Sequence, residues 1–300
     1  MELKNVRIKN FKGINDWYIQ FAPGFNLIKG SNGKGKTSIL EAIAVGLGGF
    51  VAGIDGVTPR HFSQDEIRRI YERSGDGSCI AHDELPMEVT LTARLRKEEF
   101  TWTRSRTSRR ASKTKTQPRE ITQCAWNMSN NIKGILPVLC YQGSARMWEQ
   151  KRKKSVDLFR KTNPRALGYT DALLEASNIK MLLSWCVRME LVTLQKNHSI
   201  REYTAVKEAV SSFMGYMGDG AKYEVFYDNQ LQELMYQEDD IVLPVSDLSA
   251  GYQSLIWMVF DIAYRMAVLN PFFMNNVMYI DGVVLIDELD MHLETGLTEA

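Results

Sequence analysis

Eight residues near the start of the chain, Gly30-Ser31-Asn32-Gly33-Lys34-Gly35-Lys36-Thr37, fit the pattern G-x-x-x-x-G-K-[ST] without a mismatch. Glycines at these places allow a tight turn whose backbone N–H groups approach phosphate oxygens. In that chemistry Asn32, Gly33, Lys34, Gly35, Lys36, Thr37 and Ser38 line a polyphosphate. The Lys36 ammonium reaches the β- and γ-phosphates, and the Thr37 hydroxyl ligates Mg²⁺. A second phosphate-directed element is Leu248-Ser249-Ala250-Gly251-Tyr252-Gln253, an LSxGxQ pattern just before a long apolar run. Small residues at 249–251 leave backbone N–H groups open at a helix start, which suits a bound phosphate at Ser249 and Gly251. The third element is Val283-Val284-Leu285-Ile286-Asp287-Glu288, an apolar strand ending in two carboxylates. Ligands of open α/β sheets bind beyond the carboxyl ends of the strands. Asp287 is therefore expected in the Mg²⁺ shell, and Glu288 is expected to polarise an attacking water. Alone, this stretch also reads as a core strand followed by a solvated acidic turn. Two phosphate sites in one chain suit a composite ATPase, in which one subunit caps the nucleotide held by another.

These groups need elements to hold them. Residues 2–11 alternate like a strand, with 16–21 as an antiparallel partner. Phe25-Asn26-Leu27-Ile28 reads as the strand entering the glycine loop, and Ser38 to Ile43 opens a helix with apolar residues at helical spacing. Between 57 and 129 the pattern is irregular and basic, with strands expected at 87–95 and 100–105 and a mobile polar stretch at 107–119. Residues 135–141 form an expected buried strand with Gln142 at its end. Residues 170–217 read as mainly helical from Asp171 onward, 223–227 and 231–236 as a strand pair. Residues 254–269 read as a helix with Leu255, Val259, Ile262 and Met266 on its buried face. Four stretches follow: 1–56, N-terminal strands and phosphate loop; 57–134, a basic insertion with a strand pair; 135–247, a strand and helical subdomain; 248–300, the second phosphate element and the acidic strand.

The chain has 300 residues and a formal net charge of +1, but the charge is unevenly spread. Residues 1–165 carry 30 Lys/Arg against 16 Asp/Glu, and the remainder carries 7 against 20. Ten basic residues lie between Arg94 and Arg119 and eight between Arg146 and Arg165. Such segments suit a nucleic acid bound through its phosphates, an acidic protein partner, or a solvated face. The four cysteines form no C-x-x-C pair and suggest neither zinc nor disulfides. No apolar run approaches the length of a membrane span, and no apolar stretch follows a basic N-terminal head, so a cytoplasmic location without membrane contact is expected.

The order of these motifs is similar to that of the ABC-type ATPase heads that include the SMC, RecF and OLD proteins. One subgroup is resembled more closely: the predicted ATPase subunits of Septu anti-phage defence and of some retrons. The residues carrying that likeness are 136–143, 168–173, 185–190, 248–270 and Asp287-Glu288-Leu289-Asp290-Met291-His292-Leu293. The resemblance implies an α/β fold, an ABC-type P-loop NTPase head with an N-terminal antiparallel β subdomain and an inserted helical subdomain. It also implies ATP and Mg²⁺ as cofactors and a homodimer or higher oligomer closing around ATP. Ser249 and Gly251 would contact the γ-phosphate bound by the opposite subunit. Gln142 would sense that phosphate and join Thr37 and Asp287 at the metal. Glu288, with Lys36 and Gln142, would carry hydrolysis, and residues 291–294 would form a D-loop. The implied function is the ATP-binding and hydrolysing subunit of a bacterial anti-phage defence complex that regulates a nuclease. The implied partners are an HNH-type nuclease chain and nucleic acid, DNA or a retron RNA–DNA. A DNA-repair or SMC-like head, and an ATP-clamped scaffold that does not hydrolyse, are the alternatives. Two departures from the pattern stand out. Glu294-Thr295 replaces the usual His-Pro, and the sequence stops at Ala300, before the expected final strand and switch histidine. The expectation is a C-terminally truncated head that hydrolyses ATP only if those elements are supplied.

Overall fold

A computed structural model describes residues 1–75, 78–144, 164–218, 222–273 and 280–288. The basic cluster at 151–154 and the expected D-loop at 291–294 lie outside these residues. The chain divides into two compact units, Met1–Tyr141 with Asp281–Leu285, and Gln142–Ile280 with Ile286–Ala300.

The first unit is built on an antiparallel sheet. Strands β1 (Glu2–Phe11) and β2 (Ile14–Gln20) form a hairpin that precedes helix α1 (Lys36–Val51). The hairpin β3 (Arg69–Arg73) and β4 (Cys79–Asp83) pairs only with itself among the described residues. Strands β5 (Met87–Leu95), β6 (Glu98–Arg106) and β7 (Lys115–Gln117) then complete the sheet order β2-β1-β5-β6-β7. Helix α2 (Glu120–Asn130) follows. Alternation puts Val6 and Ile8 of β1, Val89 and Leu91 of β5, and Trp102 of β6 on the buried face. Helix α1 crosses that face. Its glycines permit the approach: a Cβ on Gly46 would meet Leu91 at 2.7 Å, and one on Gly49 would meet the Trp102 indole at 2.5 Å.

The strand expected at 25–28 does not form. Pro23-Gly24 turns the chain, and the Asn26 side chain closes the turn by accepting from the Ala22 N–H at 2.9 Å and donating to Ala22 O at 2.8 Å. Side-chain bonding of this kind competes with a sheet ladder, and Phe25 is left 81% exposed. The opposite correction applies to 107–119, expected to be mobile. The Arg106 guanidinium donates to Phe62 O at 2.7 Å, Ser108 O at 3.2 Å and Arg109 O at 2.6 Å, and β7 continues the sheet.

Strand β8 (Val138–Gln142) pairs with the last described strand, β12 (Gly282–Ile286). The Val138 N–H donates to Asp281 O at 3.2 Å and the Asp287 N–H donates to Gln142 O at 2.8 Å. Starts meet starts and ends meet ends, so the pair is parallel. Val283 and Leu285 are buried, whereas Val284 is 39% exposed. The expected continuous buried strand is thus buried on one face among the described residues.

The second unit holds helices α3 (Ile179–Lys196) and α4 (Arg201–Met217), the antiparallel meander β9 (Tyr223–Asp228), β10 (Glu233–Glu238) and β11 (Ile241–Pro244), and helix α5 (Ala250–Leu269). Its core gathers Leu182, Trp185 and Tyr203 against Ile256, Phe260 and Tyr264. Trp185 lies edge-on to Tyr264 with ring centroids 5.1 Å apart. The helix expected from Asp171 starts later. Residues 164–169 form a 3-10 turn, Asp171 has φ +54°, and Asn178 caps α3 by accepting from the Met181 N–H at 3.0 Å. The buried face of α5 also differs from the expected one. Ile256, Phe260, Tyr264 and Ala267 are the most enclosed, while Val259, Ile262 and Met266 are half-buried. A helix that is apolar nearly all round offers no periodic contrast by which to choose its face. No helix among the described residues is long and apolar enough to cross a membrane.

Candidate nucleotide site

The glycine loop delivers a bare helix start. Gly33 has φ +79° and Gly35, the N-cap of α1, has φ +88°, a left-handed backbone that side chains disfavour. No side chain caps α1 and no acidic residue occupies its first turn. The unpaired N–H groups and the helix dipole therefore face an anion without competition. Asn32, Gly33 and Lys34 are exposed, and Gly35, Lys36, Thr37 and Ser38 are half-buried. The Lys36 Nζ donates to Gly30 O at 2.6 Å and Ser31 O at 3.2 Å, so the ammonium stays over the loop. These features fit a polyphosphate. They fit Mg²⁺ as well, because that ion keeps several waters and is held through substrate phosphates with one or two carboxylates in place of an all-protein cage. Among the described residues no group of three His, Cys, Asp or Glu side chains could hold a metal alone.

Behind the loop, α1 is fixed by side chains of the basic segment. The Trp102 Nε1–H donates to Gly46 O at 2.8 Å. Arg104, fully buried, donates to Val45 O at 3.0 Å and Arg60 O at 2.8 Å, and its Nη2 lies 3.3 Å from His61 Nδ1. Desolvation pulls its guanidinium down to about 10. Glu41 of α1 pairs with Lys12 and with Arg60, the latter at 3.6 Å. His61 accepts the Thr114 N–H at Nδ1, 3.2 Å away. Burial, then the charges of Arg104 and Lys113, hold its pKa below the ordinary 6.5. The unfolded chain then binds the proton first, so stability falls as pH drops through 6.5 towards the lower folded value. In urea titrations at a series of pH values, His61→Asn is expected to flatten that part of the stability profile. An unchanged slope would show that other groups carry it.

In the second unit, Gln142 and Asp287 stand side by side at the ends of β8 and β12, joined by the backbone bond given above. Both are buried, and Glu288 follows as an exposed residue with φ +48°. The Gln142 amide is engaged: Nε2 donates to Asp261 Oδ2 at 2.7 Å, and Oε1 accepts from Ser177 Oγ at 3.1 Å. Asp261 is in turn paired with Arg265 at 2.9 Å, one turn along α5, and Arg265 donates to Gly168 O and Thr170 O. Sequence reasoning did not find Ser177, Asp261 or Arg265. An Asp and an Arg four residues apart in an apolar helix were the available signal. Ser249 is the N-cap of α5, its Oγ accepting from the Tyr252 N–H at 3.4 Å, and Gly251 is buried in the first turn. Gln253 braces the approach by donating to Ser246 O and Leu248 O. Ser249 and Asp261 lie on one helix, roughly 18 Å apart at 1.5 Å per residue.

The profile of an AAA domain family matches residues 5–216, most of the chain. The chain belongs to that family. This AAA domain is 23% identical to the retron Vc95 probable ATPase of Vibrio cholerae over 98% of its own length and 65% of that protein's. It is 37% identical to the Rad50 DNA double-strand break repair ATPase of Pyrococcus abyssi, over 25% of this chain and 8% of Rad50. With the RecF replication and repair protein of Lactococcus lactis the identity is 32%, over 32% of this chain and 26% of RecF. The chain thus spans less than two thirds of each of these relatives. Among solved structures, an SMC head bound to the C-terminal winged-helix domain of ScpA matches 97% of this chain and 92% of its own, with 16% identity and a TM-score of 0.51. The AAA domain therefore has the SMC-type head fold expected from its motifs, and it resembles the retron ATPase.

Proposed function

We propose that this chain is an ATP-binding head that closes on a second copy of itself around ATP. The observation that carries this is the uncapped α1 start with its left-handed glycines, together with the Ser249 cap on α5. In this reading Asn32 to Ser38 hold the phosphates and Thr37, Gln142 and Asp287 hold Mg²⁺, which would neutralise phosphate charge. Gln142 would exchange its bonds to Asp261 and Ser177 to do so. Glu288 would orient and deprotonate the attacking water, while Lys36 stabilises charge on the β- and γ-phosphates. Ser249 and Gly251 would offer backbone and hydroxyl donors to the nucleotide of the opposite subunit.

Likeness over nearly the whole chain to a retron ATPase supports a role in bacterial anti-phage defence, with ATP state governing an associated nuclease, an HNH-type chain in this reading. The shorter likenesses to Rad50 and RecF favour a second reading, a DNA-repair head. Both place the protein in the cytoplasm, and the Septu-type assembly belongs to the first. The exposed basic residues between Arg94 and Arg119 would meet nucleic acid in either case, Arg104 and Arg106 being buried in the fold. Ser249→Arg tests the shared core of the proposal. ATP binding by the monomer is expected to persist, while ATP-dependent dimerisation, followed by light scattering, is lost. Dimerisation of the variant at the parental ATP concentration would remove the composite site.

A further inference from the structure

The meander of the second unit ends in a strand whose outer side is open. Strand β11 runs antiparallel to β10 and is an edge of the order β11-β10-β9. It opens with Ile241, Val242 and Leu243, three consecutive apolar residues that are 62%, 45% and 39% exposed. Such a run on a sheet edge is ordinarily blunted by lysine, a bulge or a covering element. Strand β11 carries no lysine, and its one proline, Pro244, comes last. That proline also fixes which backbone groups face outward. It has no N–H to give a ladder and sits where that group would point away from the partner strand. Pro244 pairs with Met235, and Val242, two residues earlier, pairs with Gln237. Hydrogen-bonded and non-hydrogen-bonded pairs alternate along an antiparallel ladder. The Val242 N–H and C=O therefore point outward, towards no strand among the described residues.

The surrounding charge says what could lie there. Residues 223–248 hold seven Asp or Glu and no Lys or Arg, with Lys222 just before them. Glu238, Asp239 and Asp240 precede β11 and Asp247 follows it. The bonds made to Glu238 and Asp239 come from neutral donors, the Tyr223 and Tyr236 hydroxyls and the Lys222 backbone N–H. These partners leave the negative charge uncompensated. A second copy pairing through the same strand would bring two such sets together, and like charges across a sheet repel. Nucleic acid, with its phosphates, is repelled for the same reason. An extended protein segment with apolar residues at alternate positions and Lys or Arg beyond them meets both demands. In strand addition the main-chain bonds supply affinity and the side chains set the choice of partner.

We propose that β11 is a strand-addition site for an extended, Lys- or Arg-bearing segment of a partner protein. The site is tied to the start of α5 by continuous bonding. After Pro244 the chain makes a 3-10 turn, Val245–Asp247, with Val245 buried in the core. The Ser246 hydroxyl donates to Glu233 Oε2 of β10 at 2.8 Å. Gln253 of α5 donates to Ser246 O at 2.8 Å and to Leu248 O at 2.7 Å. The strand on which the segment lies thus leads directly into the Ser249 cap, and holding the strand holds that helix start.

The test uses the full chain and a fluorescently labelled synthetic peptide, valine alternating with threonine and flanked by lysines, with binding followed by polarisation. Two altered peptides accompany it, one with glutamate for lysine and one N-methylated along its backbone. The lysine peptide is expected to bind, and to bind more weakly as salt rises. The glutamate and N-methylated peptides are each expected to bind at least about tenfold more weakly, the scale of one lost hydrogen bond or ion pair. In the protein, Val242→Pro is expected to weaken the lysine peptide about tenfold, one outward N–H being lost. Its urea midpoint should not move, because that N–H serves no bond to β10. Val242→Thr keeps the N–H and should bind as the parent does. No binding of the lysine peptide by the parent overturns the proposal. Equal binding of the N-methylated peptide overturns it too, since the contact would then be charge and apolar attraction without strand pairing. Equal binding of the glutamate peptide removes the basic partner. Self-association of the parent that Val242→Pro abolishes would give the edge to a second copy instead, and early unfolding of Val242→Pro would overturn the outward placement of the N–H.

Discussion

Replacing Lys36 by alanine is expected to weaken ATP binding by at least about a hundredfold while leaving the fold intact. The ammonium would make charge-assisted bonds to the β- and γ-phosphates, each contributing about 1.5–3 kcal/mol, and about 1.4 kcal/mol corresponds to a factor of ten. Its contacts in this structure are the carbonyls of Gly30 and Ser31 in the half-exposed loop. Losing them leaves those carbonyls to water, so the urea midpoint should not move. Calorimetric ATP titration beside a urea unfolding curve separates the two quantities. A variant that binds ATP normally would refute the assignment of the loop, and one that unfolds early would show that the lysine is structural.

A loss of stability of about 3–5 kcal/mol is expected for Asp261→Leu, which removes the carboxylate paired with the buried Arg265 guanidinium. That is a large share of the roughly 5–15 kcal/mol by which a domain is stable. The Gln142 amide also loses its acceptor. The double variant Asp261→Leu, Arg265→Met should recover much of the loss, because a buried ion pair replaced by apolar groups of similar size is often neutral. The three urea midpoints test this. If the double variant is no better than Asp261→Leu, the damage lies at Gln142 and not in the stranded charge.

The motif residues were legible because their chemistry is local. A glycine loop, a helix start at the small residues 249–251 and a carboxylate at a strand end each follow from a few adjacent residue types, and the structure contains all three, with Ser249 capping a helix N–H that the sequence pattern leaves open. The antiparallel hairpin of β1 and β2 and the strand β5 were legible for the same reason: alternation is a two-residue signal. What sequence could not supply were contacts between distant segments. Arg106 orders the basic stretch through the carbonyl of Phe62, which no periodicity announces. The sequence places Gln142 at a strand end, but its partners Asp261 and Ser177 lie 119 and 35 residues away. The buried face of α5 was misread because its polar residues, Asp261 and Arg265, are the buried ones.

The seating of α1 on the sheet constrains how this sequence can change over time. A Cβ at Gly46, Gly48 or Gly49 would collide with Leu91, Arg104 or Trp102 at 2.7, 2.1 and 2.5 Å. Of these, Arg104 and Trp102 of β6 bind the helix carbonyls of Val45 and Gly46. A substitution on either side is tolerable only with a matching one on the other. The phosphate-loop helix and the strands β5 and β6 therefore form one packing block, and a graft that moves the loop and helix to another scaffold must carry both strands with it.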